Sequence, residues 1–185
     1  LILVERAKSG AALTAGRFAD AIASCQKTRQ QSSAVFALTP TFRVLRVELL
    51  ANMLCGNLPS AWSVADELWT LAEKHDLPQK QTLAVGYRGV LWARQGDRER
   101  ALRLLEQAGV AETKGEDSHH ALWCGGELAL CYVAQGDPAR ALQVADAQLR
   151  SLQTHPVASV ISAMGIHALI ETYALLHLSG GCDSE

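Results

Sequence analysis

Gly136-Asp137-Pro138-Ala139-Arg140-Ala141 is the fourth occurrence of one frame. Gly16-Arg17-Phe18-Ala19-Asp20-Ala21, Gly56-Asn57-Leu58-Pro59-Ser60-Ala61 and Gly96-Asp97-Arg98-Glu99-Arg100-Ala101 precede it at steps of 40 residues. The glycine and the alanine five positions later hold register in all four. With 14 glycines in 185 residues, chance does not produce that register. A fixed period of this size marks an array of repeated supersecondary units.

Residues leading into each glycine are apolar at helical spacing. Leu45, Leu49, Asn52 and Met53 lead into Gly56, and Leu83, Tyr87, Leu91 and Arg94 lead into Gly96. Ala121, Leu128, Cys131 and Tyr132 lead into Gly136. Steps of three, four and seven belong to one helix face. A glycine can then turn left-handed and end the helix without a Cβ clash. Asn57, Asp97 and Asp137 follow as N-caps, each offering a side-chain oxygen to the first turn of the next helix. Pro138 suits the first helical position, where no amide donor is needed. Arg17 is the poorest cap of the four. The small alanine one turn into the second helix predicts close approach of the two helices.

The whole chain reads as nine helices: 2–15, 18–32, 39–55, 58–75, 78–95, 98–109, 117–135, 138–153 and 156–179. Thr39-Pro40, Leu77-Pro78, Lys114-Gly115-Glu116-Asp117 and His155-Pro156 lie in the connections. No alternating strand pattern competes. The ninth helix is left without a partner.

These repeats resemble the tetratricopeptide repeat. The best match is Leu128-Ala129-x-x-Tyr132-x-x-x-Gly136-Asp137-x-x-x-Ala141, and a second is Gly89-x-x-Trp92-x-x-x-Gly96-Asp97-x-x-x-Ala101. The first two repeats have Ala12 and Asn52 at the aromatic position. In the ninth helix the period predicts an aromatic at Thr172 and a glycine at Leu176, yet the chain has Tyr173 and Gly180-Gly181. The resemblance implies an all-α fold, an α-solenoid of antiparallel helix pairs with about four and a half repeats. It covers residues 1–185 as one repeat domain. With no initial methionine and a turn-like end, we expect that domain to be part of a larger protein. Long, degenerate repeats of this kind resemble the helical arms of MalT-like and LuxR-type bacterial signalling ATPases and transcription activators. The stretch from Leu50 through Cys55-Gly56-Asn57 to Lys74 has that character.

In tetratricopeptide arrays the first helix of each pair lines a concave binding surface. The resemblance places Arg43, Arg46, Leu50, Leu83, Gly86, Val90, Trp123, Gly126 and Leu130 there, continuing to Ile166 and Ile170. Such a face, apolar with a basic end, implies a protein or peptide segment, another domain of the parent chain or a small-molecule inducer as its occupant. Gly86 and Gly126 admit two readings: close helix packing, or a groove opened for a ligand.

Composition narrows the classes further. The chain is 49% hydrophobic and 19% charged with a net charge of −2, a soluble globular balance. No Lys/Arg run exists, so no nucleic-acid face is expected. The longest uncharged apolar stretch, 157–170, is shorter than the ~20 residues of a membrane span. No secretory leader is visible. Cys25, Cys55, Cys124, Cys131 and Cys182 show no CxxC spacing and read as buried, reduced thiols of a cytoplasmic protein. Cys124 and Cys131 lie two turns apart, roughly 10 Å, too far for a disulfide.

We expect no enzyme, no cofactor and no metal. There is no phosphate loop, no nucleophile elbow and no H-E-x-x-H. His119-His120 with Glu116, Asp117 and Cys124 fits no zinc pattern, because adjacent histidines point apart on a helix. The pair reads as a solvated helix start, and His167 as a residue on a partly apolar face. Arg98, Glu99, Arg100, Arg103 and Glu106 read as a solvated charged face. The function expected is that of an interaction or sensor domain. The alternative is a structural spacer or oligomerisation scaffold assembling through the last helix.

Overall fold

The turn glycines have positive φ in the structure, 86° at Gly96 and 74° at Gly136. The structure is a computed structural model, and it describes residues 2–31, 38–109, 118–154 and 159–180. Connections 114–117 and 155–156, and Cys182, lie outside the described residues.

The described elements are α1 (Ile2–Thr14), α2 (Phe18–Gln31), α3 (Leu38–Leu54), α4 (Leu58–Lys74), α5 (Pro78–Arg94), α6 (Arg98–Ala108), α7 (Ser118–Ala134), α8 (Pro138–Thr154) and α9 (Val160–Leu178). All described regular structure is helical. The fold is an all-α helical repeat, as the glycine period implies.

Each repeat turn closes by the same two bonds. Gly96 N–H donates to Ala93 O at 3.0 Å, and Asp97 N–H donates back to Trp92 O at 3.1 Å. Together they satisfy carbonyls that the helix end leaves open. The Asp97 carboxylate then accepts Arg100 N–H at 3.0 Å, and Asp137 accepts Arg140 N–H at 3.0 Å. Asn57 caps α4 through Ser60 N–H at 3.4 Å.

Sequence reading placed a connection at Leu77-Pro78 but not the left-handed turn that makes it. Asp76, midway between Gly56 and Gly96, takes φ 50° and repeats the bond pattern, with Leu77 N–H on Ala72 O at 2.9 Å. Aspartate is among the few side chains that tolerate this conformation.

The aromatic before each turn glycine has a partner after it. The Arg100 guanidinium lies 4.6 Å from the Trp92 ring centre, and that of Arg140 lies 5.7 Å from the Tyr132 ring. In the second repeat, Asn57 Nδ2 donates to Asn52 Oδ1 at 3.1 Å, so a hydrogen bond ties turn to helix instead. Ala21, Ala61, Ala101 and Ala141 are all fully buried. Helix approach is close: a Cβ on Gly89 of α5 would stand 2.8 Å from Leu105 Cγ of α6.

The chain divides into two compact units, Leu1–Ala84 and Val85–Glu185, with the divide inside α5. In a repeat array each unit contacts only its neighbours, so such a division is natural. In the first, α1 packs on α2, α2 on α3 and α3 on α4 around Leu45, Leu49, Ala61 and Leu68. In the second, α7 packs on α6, α8 and α9 around Trp123, Ala129, Ala145 and Leu169.

α9 runs one turn longer than the period predicts. Thr172 stands at the aromatic position, fully buried, and its hydroxyl donates to Ala168 O at 2.8 Å. Tyr173, one place on, reaches Asp146 of α8 at 2.6 Å. The helix then ends at Gly180, with φ 70°. At 19 residues α9 also passes the length and composition test for a membrane span, which the uncharged stretch 157–170 alone does not. It is nevertheless packed along one side, where Gly165, Ala168, Leu169 and Leu176 are buried.

Candidate interaction surfaces

Within the first unit, the N-terminal turns of α3 and α5 flank an open groove of about 530 Å³. Leu38, Thr39 and Phe42 line one side, and Leu77, Pro78, Gln79 and Lys80 the other. Pro78 opens α5 and so leaves its first turn without one backbone donor. The lining is mainly apolar, with Thr39, Gln79 and Lys80 supplying polar atoms. Arg43 and Arg46 follow Thr39 by four and seven residues on the same face of α3, and Leu83 follows Gln79 by four on α5. All three are partly exposed. α3 and α5 are first helices of their pairs, the helices that the resemblance assigns to binding.

A second cavity of about 530 Å³ opens between α2, α3 and α4, lined by Gln26, Thr28, Arg29, Thr41, Val44 and Glu67. Arg29 organises it. One guanidinium nitrogen donates to Glu48 Oε2 at 2.8 Å and the other to Glu67 Oε2 at 2.5 Å. Glu48 is only 3% exposed, so Arg29 supplies the countercharge that its burial requires. Glu48 is the one acidic residue of α3, and it is turned toward α2.

Between α1 and α2 lies a third cavity, of about 390 Å³. Glu5 sits in its wall, with Lys8 Nζ at 3.0 Å and Lys27 Nζ at 3.3 Å, while the Ser24 hydroxyl donates to Glu5 O at 2.9 Å. The Lys8 hydrogen bond holds the Glu5 carboxyl below its ordinary pKa against the opposing effect of burial, with Lys27 adding in the same direction.

The predicted binding residues separate into two groups. Arg43, Arg46, Leu83 and Leu130 keep partial exposure. Leu50, Gly86, Val90, Trp123 and Gly126 are interior. Those five support a surface and do not form one. A Cβ on Gly86 would lie 2.8 Å from Cys124 Sγ, and one on Gly126 would lie 2.8 Å from Ala168 Cβ and 2.9 Å from Gly165 O. Both glycines therefore serve close helix packing, not an opened groove. Trp123, fully buried, donates from Nε1 to Glu127 Oε1 at 3.3 Å, the oxygen that also accepts Arg94 at 3.0 Å. Ile166 is half-buried and Ile170 exposed.

The histidine pair departs from the solvated reading. His120 is completely buried, with Nδ1 2.5 Å from Tyr87 Oη and its ring edge-on to the Tyr87 ring. His119 is half-buried, its Nδ1 2.6 Å from Ser162 Oγ of α9. The two rings do point apart, but onto α5 and α9 and not into water. His167 is exposed. Glu116 and Asp117 lie outside the described residues.

Cysteines at 25, 55, 124 and 131 are free thiols, and Cys55 is exposed where burial was expected. Burial pushes the Cys25 thiol up to about 11, Cys124 to about 12 and Cys131 to about 11. Such thiols stay protonated at neutral pH and are poor nucleophiles or metal ligands. Among the described residues, no three His, Cys, Asp or Glu side chains gather as a metal site.

Comparison with known proteins adds the fold alone. No protein-family model matches the chain. No curated protein matches it either. Among solved structures, it is similar to a crystal structure of nearly identical TPR-like repeats from Podosopora anserina, described as a candidate kinesin light chain. That match covers 97% of this chain and 88% of the other, with a TM-score of 0.63 and 13% identity.

Proposed function

We propose that this chain is a non-catalytic interaction module, whose α3–α5 groove takes an extended or helical protein segment. The groove itself carries the reading: an open, mainly apolar cleft of about 530 Å³ between two first helices, with polar groups at its rim. Apolar clefts with a few polar groups are the usual form of such sites. The raised thiol pKa values give no support to nucleophilic chemistry at the cysteines. Binding there would bias how the modules joined to the array sit, which is how a sensor domain works. A small-molecule inducer is the other occupant that a cleft of this size admits.

The narrower placement, in the cytoplasmic helical arm of a MalT-like or LuxR-type bacterial regulator, rests on the long degenerate repeats. The source gene tests it. An NTPase module before the array and a DNA-binding module after it support that placement; further 40-residue repeats with neither contradict it.

For the groove, the test is selection of binders from a displayed random-peptide library. Peptides selected on the wild-type chain should lose binding to a Leu38→Lys variant whose circular dichroism is unchanged. Equal binding to both would place the contact elsewhere.

A further inference from the structure

Where the α3–α5 groove is mainly apolar, the cavity of about 530 Å³ between α2, α3 and α4 is polar and charged. The peptide-binding reading makes no use of it. Gln26, Gln30 and Glu67 in its wall are exposed, and Thr41 is half-buried. Val44 and the stem of Arg29 supply apolar surface.

Charge in this cavity does not balance. Arg29 is the one cation among the described lining residues, and it serves two carboxylates, Glu48 at 2.8 Å and Glu67 at 2.5 Å. Lys27, the neighbouring cation on α2, is turned to Glu5 of α1. The excess negative charge falls on Glu67. Glu48 is sealed under the guanidinium, whereas the Glu67 side chain keeps 44% of its surface. Arg29 engages Glu67 through Oε2, which leaves Oε1 for a second donor. The three side chains form a relay: buried Glu48 fixes Arg29, and Arg29 fixes Glu67. The exposed carboxylate is therefore ordered before any ligand arrives.

We propose that this cavity binds a primary alkylammonium group, with Glu67 as its counter-ion. An ammonium carries three donors and no acceptor. Glu67 Oε1 takes one, and the amide oxygens of Gln26 and Gln30 and the Thr41 hydroxyl stand in the same wall for the others. The alkyl chain lies along Val44 and the Arg29 stem, as such chains do on apolar surface. An anion would meet Glu67 and find Arg29 already committed to two carboxylates. A divalent metal ion needs several anionic ligands, and among the described residues no three His, Cys, Asp or Glu side chains gather. The volume exceeds what a bare ammonium fills and suits one on a chain of several carbons. A single half-exposed ion pair is weak, so the site works at millimolar amine. It is separate from the α3–α5 groove, and either can fail without the other.

Nuclear magnetic resonance of the full chain, titrated at low salt with n-butylammonium chloride, tests this. Amide shifts should saturate in residues 26–30, 41–44 and 67, and n-butanol should not reproduce them. Added salt should weaken the binding. Glu67→Gln should weaken it roughly five-fold, the worth of one partly exposed ion pair. That variant keeps the Arg29–Glu48 pair, so its circular dichroism should be unchanged. Gln30→Lys, which brings an ammonium from within, should also exclude the added amine. Tighter binding of Nα-acetyl-lysine methylamide than of n-butylammonium would assign the group to a lysine of a partner segment; the reverse order would assign a free aliphatic amine. Absence of saturable shifts in those segments overturns the proposal. So does equal binding of n-butanol, or binding that neither Glu67→Gln nor Gln30→Lys diminishes.

Discussion

Tyr87 Oη stands 2.5 Å from His120 Nδ1, and both side chains are buried between α5 and α7. A buried hydrogen bond contributes about 0.5–1.5 kcal/mol. Tyr87→Phe removes only the hydroxyl, so it should lower stability by that amount in urea unfolding while the helical signal persists. An unchanged midpoint would mean that the bond contributes nothing to holding α7 on α5.

Ala101 has no exposed surface. A leucine there has no free volume to occupy. Ala101→Leu should cost about 1–3 kcal/mol by forcing the hairpin apart. Thermal unfolding checks it, and a midpoint equal to that of the wild type would contradict the close-packing role of the repeated alanine.

Asp76 performs with a side chain what Gly56 and Gly96 perform without one. The left-handed conformation costs an L-residue about 1–2 kcal/mol, and glycine returns part of any relief through unfolded-state entropy. Asp76→Gly should therefore raise stability by up to about 1 kcal/mol. A fall in the unfolding midpoint would show that the aspartate contributes a contact that the turn geometry does not explain.

Thiol burial sets an alkaline limit. Unfolded cysteines ionise near 9.0, whereas the folded thiols of Cys25, Cys124 and Cys131 do so at about 11 to 12. The folded pKa is the higher one, so this stabilisation is complete below pH 9.0 and is lost as pH rises toward the folded values. Unfolding free energy should fall between pH 9.0 and 11. Thiol labelling at pH 8, in a Cys182→Ser background, should modify Cys55 and spare the other three until the chain unfolds. Rapid labelling of Cys124 in the folded state would contradict its burial.

The repeat frame was legible because it depends on local chemistry. A left-handed glycine, a capping carboxylate and an apolar helix face each announce themselves within a few residues. Eight of the nine helices agree at both ends to within one residue of the spans read from periodicity. What stayed hidden depends on partners distant in sequence. Adjacent histidines are polar and look solvated until Tyr87 arrives from 33 residues away. Trp123 and Val90 sit at positions that face outward in the resembled family, yet here they are interior. Glycines at 86 and 126 let neighbouring helices approach closely beside them, with Cys124 against one and Gly165 and Ala168 against the other. Asp76 escaped because a turn without glycine leaves only a weak compositional trace.

Hydrogen–deuterium exchange of the chain with a library-selected peptide, against the chain alone, tests the proposed groove most directly. Added protection should concentrate in residues 38–46 and 77–83, the walls of the groove. Protection confined to other helices, with those two segments unchanged, would contradict the α3–α5 assignment.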